Sequence, residues 1–462
     1  MTLERALELA RAGREQAERD FFEELRIPSV STLADHRTDV RRNCDWLAER
    51  FRALEFDVQI TDQLPDGADS PTRISHPVLQ ADWRGAGENA PTLTIYGHYD
   101  VQPPDPLDEW ETPPFEPTVR DGHVVARGAS DNKGNHMAAL KAAEYAVATG
   151  APVNLRFLIE GEEEISGESL PAYLRERAEA LKSEYTLIWD GGFTPDDRPA
   201  LVTGLRGILY TQIDAQGPRQ DIHSGGFGGV APNPNNTVAR IVAALKDRDG
   251  RITIPGFYDA VVPPGDDEAA DWDRSSAFGD RLRELMGAPA LEGEPDHSPV
   301  ERLWARPTLD CNGILGGFTD EGEKTVIPAR AMAKVSMRLV PDQDPKQIFA
   351  AMESYVQTLT TPGVTVRVRR LGDAPPVLLD HRSRASQALR SAYEAAFGTA
   401  AVPVRMGGTV PVSTAFQSAV GGQILCSGLA QAGAGAHGPN ESFRLDNYHR
   451  GTEMLLRLLY SL

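Results

Sequence analysis

Acidic side chains stand together directly after an apolar segment in the first half of the chain. Glu162, Glu163 and Glu164 follow the apolar run 153–159, although a charge run by itself usually marks a solvated surface. Four other segments also carry side chains that bind metals, mostly just after an apolar run: His98 with Asp100, Asp131, Asp190 and His437. Imidazole and carboxylate without thiolate suit zinc or a similar divalent ion. If these segments meet at one edge of a sheet, the sequence predicts a metal site there.

The number of candidate ligands is sufficient for two ions. Two metals that share one carboxylate lie about 3.5–4 Å apart, clamp a hydroxide between them and polarise a carbonyl group. Each ion needs about three protein ligands. The predicted set provides this number with Asp131 as the bridge, His98 and Asp190 on one ion, and Glu164 and His437 on the other.

Two acidic residues remain outside this ligand set. Glu163 is adjacent to Glu164, and we expect it to act as the general base that takes the proton of the attacking water. Asp100 lies two residues beyond His98, on the same side of an extended chain, and we expect it to hold the imidazole tautomer. Together these assignments predict the active site of a two-metal hydrolase.

The segments between these residues predict an α/β domain. Apolar strands that alternate with helices are typical of a sheet covered by helices, and ligands bind beyond the carboxyl ends of such strands. The predicted strands end just before the acidic clusters or the loop of His437. Strands are expected at 92–96, 153–159, 186–189 and 423–426, and helices at 3–25, 37–54 and 133–149.

The middle of the chain follows a different pattern. Strands are predicted at 208–215, 331–340 and 364–369, helices at 236–246 and 345–359, and an acidic excursion rich in Pro, Gly and Asp at 255–300. This pattern predicts a smaller α+β unit inserted into the α/β domain. The expected boundaries give a first catalytic segment at 1–205, the insert at 206–378 and a second catalytic segment at 379–462.

Composition excludes several classes of protein. Among 462 residues, 67 are acidic and 47 basic, for a formal charge of −20, whereas nucleic acids and anionic membranes select a surplus of Lys and Arg. Three widely separated cysteines argue against a disulfide framework or a thiolate zinc site. Because no signal-like or membrane-spanning apolar segment stands out, we expect a cytoplasmic protein that binds neither nucleic acid nor membrane.

Seven short stretches along nearly the whole chain resemble the motifs of one enzyme group. They are GHYDVQP at 97–103, RGASDNKG at 127–134, EGEEE at 160–164, DIHSG at 221–225, TVIP at 325–328, SMRLVP at 336–341 and GAH at 435–437. In this order they resemble the zinc aminoacylase, desuccinylase and carboxypeptidase G group of metallopeptidases, nearest its carnosine-type cytosolic dipeptidases.

The resemblance implies two zinc ions per subunit in a catalytic domain that is interrupted by a lid domain, and a homodimer formed through the lid. It assigns the same metal ligands and the same base as the spacing does. It also implies that His223 of the lid reaches into the partner subunit's site and stabilises the oxyanion. Arg338 would bind the C-terminal carboxylate of the substrate, and Thr325 and Thr409 would line the substrate pocket.

These features favour a dizinc exopeptidase that hydrolyses dipeptides or short peptides with a free C-terminus. The hydroxide that bridges the ions would attack the scissile carbonyl, and Glu163 would serve as base. An amidohydrolase acting on N-acyl amino acids is the alternative, because it would use the same ions and base. A catalytically silent metal- or peptide-binding homologue would have no need of Glu163. Manganese or cobalt would accept the same ligands as zinc.

Overall fold

A computed structural model describes residues 2–62, 76–165, 167, 169–270, 272, 276–406 and 411–462. The chain forms two compact units. The first comprises Met1–Thr203, Leu379–Val404 and Pro411–Leu462, and the second comprises Gly204–Leu378 and Arg405–Val410.

The α-helices are α1 Leu3–Ala12, α2 Arg14–Leu25, α3 Arg37–Ala53, α4 Gly134–Ala148, α5 Ser169–Glu176, α6 Ala178–Leu181, α7 Ser224–Phe227, α8 Pro234–Ala244, α9 Ser276–Met286, α10 Pro299–Trp304, α11 Pro345–Thr358, α12 Arg384–Phe397, α13 Pro411–Ala419 and α14 Leu445–Leu459. The β-strands are β1 Asp57–Thr61, β2 Val78–Trp83, β3 Thr92–His98, β4 Thr118–Arg120, β5 His123–Val125, β6 Asn154–Glu160, β7 Tyr185–Trp189, β8 Ala200–Leu205, β9 Gly207–Gln216, β10 Ile222–His223, β11 Thr308–Gly316, β12 Val326–Ile327, β13 Arg330–Leu339, β14 Thr365–Ala374, β15 Val377–Leu378, β16 Val402–Met406, β17 Gln423–Ser427 and β18 Ser442–Arg444.

The first unit is built on a mixed six-stranded sheet with the order β1-β2-β6-β3-β7-β17. The strands β6, β3, β7 and β17 run parallel, while β1 and β2 are antiparallel. Every residue of β3, β6 and β7 is buried, as expected for strands covered on both faces. The predicted fold class, a mixed α/β sheet covered by helices with an added α+β unit, is confirmed.

The N-terminal helix predicted at 3–25 is wrong in one respect, because the structure has two helices separated at Gly13. A side chain at Gly13 would collide with the hydroxyl of Tyr145 on α4. Glycine at this position leaves room for that hydroxyl. The second helix carries Phe21, whose ring stacks on Tyr448 of α14 with centroids 5.0 Å apart.

The second unit contains a four-stranded antiparallel sheet with the order β11-β13-β9-β14. Residues of β9 and β13 alternate between buried and partly exposed, which is typical of a sheet with one face covered. Buried residues of α8 and α11 belong to the same hydrophobic core as the buried face of this sheet. The acidic excursion contributes α9 and α10.

Two expectations from composition can be compared with the described residues. Among these, no α-helix is both long enough and apolar enough to cross a lipid bilayer. Cys44, Cys311 and Cys426 are all free thiols, of which only Cys311 is exposed.

Candidate metal centre

The carboxyl ends of adjacent parallel strands bring the predicted ligands of the first unit together. His98 is the last residue of β3, and Asp190 directly follows β7. Glu163 and Glu164 form a short turn just after β6. Asp131 lies in the irregular turn before α4, and His437 lies in the loop after β17. Ligand atoms of His98, Asp131 and Glu164 lie within 4.8 Å of one another.

The carboxylate of Asp131 lies between two groups of side chains. Its Oδ1 is 3.0 Å from Nε2 of His98, and that nitrogen is 3.5 Å from Oδ1 of Asp190. Its Oδ2 is 3.0 Å from Nε2 of His437, which is in turn 3.2 Å from Oε2 of Glu164. Each oxygen of Asp131 thus faces one imidazole, and each imidazole has a second carboxylate beside it. The predicted partition, with Asp131 shared by two ions, is compatible with this arrangement and stays a prediction.

The chemistry of this cluster suits a divalent metal. Oε1 of Glu164 is buried and accepts no hydrogen bond from the described residues, although an unpaired buried carboxylate oxygen is costly. Imidazole nitrogens and carboxylate oxygens are the ligands that zinc and similar ions take. The residues present therefore fit a metal ion of this class.

Electrostatic interactions within the cluster shift the pKa values strongly. Burial alone would lower the pKa of His98, but the surrounding carboxylates, foremost Asp190, raise it well above its ordinary value. Hydrogen bonds with Asp131 and Glu164 raise the pKa of His437 to about 10. Burial would raise the pKa of Asp131, but hydrogen bonds with both histidines hold it below its ordinary value. Because a divalent cation binds neutral imidazole, metal binding here releases protons.

Glu163 is placed differently from its neighbour Glu164. Its backbone N–H donates to Oδ1 of Asp100 at 3.3 Å. None of the contacts described above between the proposed ligands involves its side chain. Burial raises the pKa of Glu163 to about 8. The carboxylates of Asp190, Glu164 and Asp100 act in the same direction, and His98 acts against them. A carboxylate whose proton affinity is raised toward neutral pH can accept and return a proton.

Asp100 contacts both the histidine ligand and the acidic turn. The Nδ1 atom of His98 lies 3.0 Å from the backbone carbonyl of Asp100 and 3.5 Å from its carboxylate. The carboxylate also accepts the backbone N–H of Glu164 at 3.1 Å. The carbonyl is therefore the nearer partner of the imidazole. The side chain additionally fixes the turn that carries Glu163 and Glu164.

Two amides that sequence reasoning left without a role support the ligands directly. Nε2 of Gln102 donates to Oε2 of Glu164 at 2.8 Å. Nδ2 of Asn132 donates to Oδ1 of Asp190 at 2.7 Å. Both lie inside motifs quoted above, GHYDVQP and RGASDNKG. Asn132 directly follows Asp131 and Gln102 lies four residues after His98, and this proximity in sequence was the available signal.

The remaining predicted site residues lie in the second unit or outside the described chain. Nδ1 of the exposed His223 accepts the N–H of Gly225 at 2.9 Å, which leaves Nε2–H as an outward donor. His223 pairs with Val326, and Ser224 N–H donates to the carbonyl of Thr325 at 3.0 Å. The structure thus brings His223 and Thr325 together. Thr409 lies outside the described residues.

Arg338 is half-buried on β13 of the second unit, at the face opposite the helices. Its neighbours across the sheet are Thr308 and Ile208. Burial lowers the pKa of Arg338, and the carboxylate of Asp310 acts in the opposite direction. A partly desolvated guanidinium is well suited to pair with a carboxylate.

Behind His98 lies a buried pair formed by His136 and Glu24. Nδ1 of His136 is 3.0 Å from the carbonyl oxygen of His98, and Nε2 is 2.7 Å from Oε1 of Glu24. Nδ2 of Asn43 donates to the same oxygen at 3.0 Å. His136 therefore packs behind the candidate metal centre and links β3 to α2.

Replacing Glu24 with glutamine is expected to lower the free energy of unfolding by about 3 kcal/mol at pH 7, because it removes a buried carboxylate that is hydrogen-bonded with His136 and Asn43. Burial would raise the pKa of Glu24, but His136, followed by Lys133 and Asn43, holds it below the ordinary value of 4.5. The extra stability of the wild type over Glu24→Gln is therefore fully present above pH 4.5, and it is lost as the pH falls through the lowered pKa of Glu24. Urea unfolding of both proteins between pH 7 and pH 3 measures this difference in the free energy of unfolding.

The exposed Glu15 on the same helix provides the control, since Glu15→Gln should change the unfolding free energy by less than about 0.5 kcal/mol. A difference between wild type and Glu24→Gln that stays constant down to pH 3 would contradict the assigned charge.

Comparison with known proteins places this fold and site in one family. Residues 94–461 match the profile of Peptidase family M20/M25/M40. The chain is 32% identical over 438 residues to Beta-Ala-His dipeptidase from Homo sapiens, covering 92% of this chain and 85% of the relative. It is 30% identical over 455 residues to Cys-Gly metallodipeptidase dug1 from Schizosaccharomyces pombe, covering 94% of this chain and 93% of the relative.

Solved structures agree with these relatives. The crystal structure of human carnosine dipeptidase 1 matches with a TM-score of 0.85 at 27% identity, covering 100% of this chain and 98% of that one. The dipeptidase Dug1p from Saccharomyces cerevisiae matches with a TM-score of 0.85 at 26% identity and the same coverage. The resemblance drawn from the motifs is confirmed. Since the profile covers most of the chain and the relatives match nearly all of it, the protein belongs to Peptidase family M20/M25/M40 and is a metal-dependent peptidase.

Proposed function

We propose that this enzyme is a dipeptidase that uses two zinc ions to hydrolyse dipeptides or short peptides with a free C-terminus. The observation that carries the proposal is the position of Asp131, whose two oxygens face His98 at 3.0 Å and His437 at 3.0 Å. The relatives named above as dipeptidases, which align along nearly the full chain, support the substrate class.

In this proposal Asp131 is the shared ligand. His98 and Asp190 complete one ion, and Glu164 and His437 complete the other. Ions held there would act as Lewis acids on the scissile carbonyl and make a water molecule more acidic. Gln102 and Asn132 hold the two outer carboxylates in place, as their hydrogen bonds to Glu164 and Asp190 indicate.

Glu163 moves the proton. It takes one proton from the attacking water and returns it to the nitrogen of the leaving amine, so the same carboxylate serves as base and then as acid. Two features favour this role. Glu163 stands beside a ligand without being needed as one, and its pKa is raised to about 8 by burial and neighbouring carboxylates. Cations bound to those carboxylates would bring that pKa back toward the acidic side.

In this proposal, residues of the second unit would contact the reacting peptide at its C-terminal carboxylate and at the oxyanion. The half-buried Arg338 would bind the C-terminal carboxylate, with Thr325 and Thr409 beside the substrate. His223 would donate its outward Nε2–H to the oxyanion in the partner subunit's site, which makes a homodimer part of the proposal. The hydrogen bond from Gly225 N–H to Nδ1 supports this role, because it selects the tautomer with hydrogen on Nε2.

A panel of substrates tests the proposal. The zinc-loaded enzyme should hydrolyse unblocked dipeptides, lose this activity with a chelator and regain it when zinc, manganese or cobalt is added. The same dipeptides carrying a C-terminal amide should react about 10- to 100-fold more slowly, because a charge-assisted contact with Arg338 is lost.

N-acetyl and N-succinyl amino acids form the other arm of this panel. They should be poorer substrates than dipeptides. Faster hydrolysis of the N-acyl amino acids would replace the dipeptidase proposal by the deacylase alternative. A metal-loaded enzyme that hydrolyses neither class would indicate the silent homologue.

A further inference from the structure

Glu441 has a fully buried carboxylate that binds the turn carrying Asp131. Its Oε2 accepts the N–H of Gly128 and Nη1–H of Arg127, both at 2.8 Å. Its Oε1 accepts the N–H of Ser130 at 2.8 Å, the hydroxyl of Ser130 at 2.9 Å and the N–H of Asp131 at 3.0 Å. Five hydrogen bonds thus converge on one side chain.

These five contacts use the full capacity of a carboxylate, which offers about four lone-pair positions, so that two donors share one of them. The charge is balanced by Arg127, which is 1% exposed and also donates through Nη2 to the carbonyl of Pro103. A buried ion pair contributes little net stability compared with apolar packing. What it provides here is a fixed geometry, because two acceptor oxygens meet donors from Gly128, Ser130 and Asp131 of the turn and from Arg127.

The position of Glu441 in the chain links two proposed metal ligands. It lies four residues after His437, and its backbone carbonyl accepts the N–H of Ala126 at 3.0 Å. Ser442 N–H donates to the carbonyl of Ala434 at 2.8 Å, which closes the loop that contains His437. The segment with His437 is therefore fastened to the turn with Asp131 through Glu441.

We propose that Glu441 is a positioning residue of the metal centre, which holds Asp131 and His437 at the separation that a shared ion requires. This inference rests on the proposed two-metal function. Glu441 acts through Asp131 and lies outside the group of ligand atoms. Partners that orient metal ligands in this way commonly change metal affinity 10- to 100-fold when they are removed.

Glutamine cannot replace this carboxylate, although it has the same shape. Whichever way the amide is turned, its NH₂ group faces donors, either the N–H groups of Ser130 and Asp131 or those of Gly128 and Arg127. Two donors then oppose each other in a buried site, and the turn must move. Because Asp131 N–H is one of these donors, the displacement reaches the shared ligand.

Zinc binding by the folded Glu441→Gln variant tests the proposal. Zinc affinity is measured by competition with a chelating indicator, at a temperature where circular dichroism shows each variant to be folded, and kcat and KM are measured with and without excess zinc. We expect affinity to fall about 10- to 100-fold, and kcat to recover in part when zinc is added in excess. A folded variant with wild-type zinc affinity would overturn the proposal.

Glu294 offers a matched control in the second unit. It is 5% exposed and accepts Nε–H and Nη2–H of Arg306 at 2.6 and 3.0 Å. Glu294→Gln also breaks a buried Glu–Arg pair, but it should leave zinc affinity unchanged. An equal loss of affinity in Glu294→Gln would show a general effect of destabilisation and overturn the positioning role.

Ser130→Ala keeps the test decisive if Glu441→Gln does not fold. It removes one donor to Glu441 and should weaken zinc binding about threefold to tenfold, in line with one lost hydrogen bond. Unchanged affinity in this variant would then count against the proposal. Since zinc affinity is measured without peptide, a wild type that binds zinc but hydrolyses no dipeptide would overturn the proposed function alone.

Discussion

Glu163→Gln should lower kcat for dipeptide hydrolysis by about 10³- to 10⁴-fold, the usual contribution of a positioned general base, while the zinc content stays that of the wild type. The amide has nearly the same shape as the carboxylate but cannot take a proton from water. Retained zinc is expected because the ligand atoms come from other residues. The measurements are steady-state kinetics and zinc per chain by mass spectrometry.

The adjacent Glu162 supplies the control for this prediction. Its Oε1 accepts the N–H of His76 at 2.7 Å, so it is a buried acid of the same turn that is occupied with a structural contact. Glu162→Gln should keep kcat within about tenfold of the wild type, as expected for a residue that takes no part in proton transfer. Near-normal turnover by Glu163→Gln would show that the base assignment is wrong.

The grouping of the candidate ligands could be predicted because several apolar runs end directly before them, whereas the binding of two metal ions stays a prediction. Apolar runs ended before His98, the acidic turn with Glu163 and Glu164, and Asp190, and the parallel strands β3, β6 and β7 bring their carboxyl ends to one edge. Parallel neighbours require this convergence whatever the details of packing. The proposed partition of ligands followed from their chemistry alone.

Features that depend on contacts between distant parts of the chain could not be predicted from the sequence. Glu441 binds a turn more than 300 positions earlier in the chain, and no local pattern connects the two segments. Gly13, at the break between α1 and α2, lies close to the hydroxyl of Tyr145 on another helix, and the local sequence does not reveal this contact. The strands β1 and β2 were also missed, because residues such as Asp57 and Asp82 interrupt the apolar pattern of these outer strands.

Asp131→Asn should remove both zinc ions and lower kcat/KM by about 10⁴-fold, since Lewis-acid stabilisation of the transition state is worth several kcal/mol. The asparagine retains one neutral oxygen where the carboxylate presents two charged ones. Its NH₂ group would face either His98 or His437, each now 3.0 Å from an oxygen. One ion would then lose its third ligand, and the other would keep only a neutral amide oxygen in place of the shared negative charge.

The variant Asp190→Asn tests whether Asp131 is shared by both ions, because Asp190 is proposed to bind only one of them. Asp190 lies 3.5 Å from the Nε2 of His98 and is not among the contacts of His437. Its replacement should release one zinc ion per chain and leave the other bound, whereas Asp131→Asn should release both. Zinc per chain after dialysis distinguishes the two variants. If Asp131→Asn retained two zinc ions, Asp131 would not be the bridge, and the two-metal assignment built on its position would have to be abandoned.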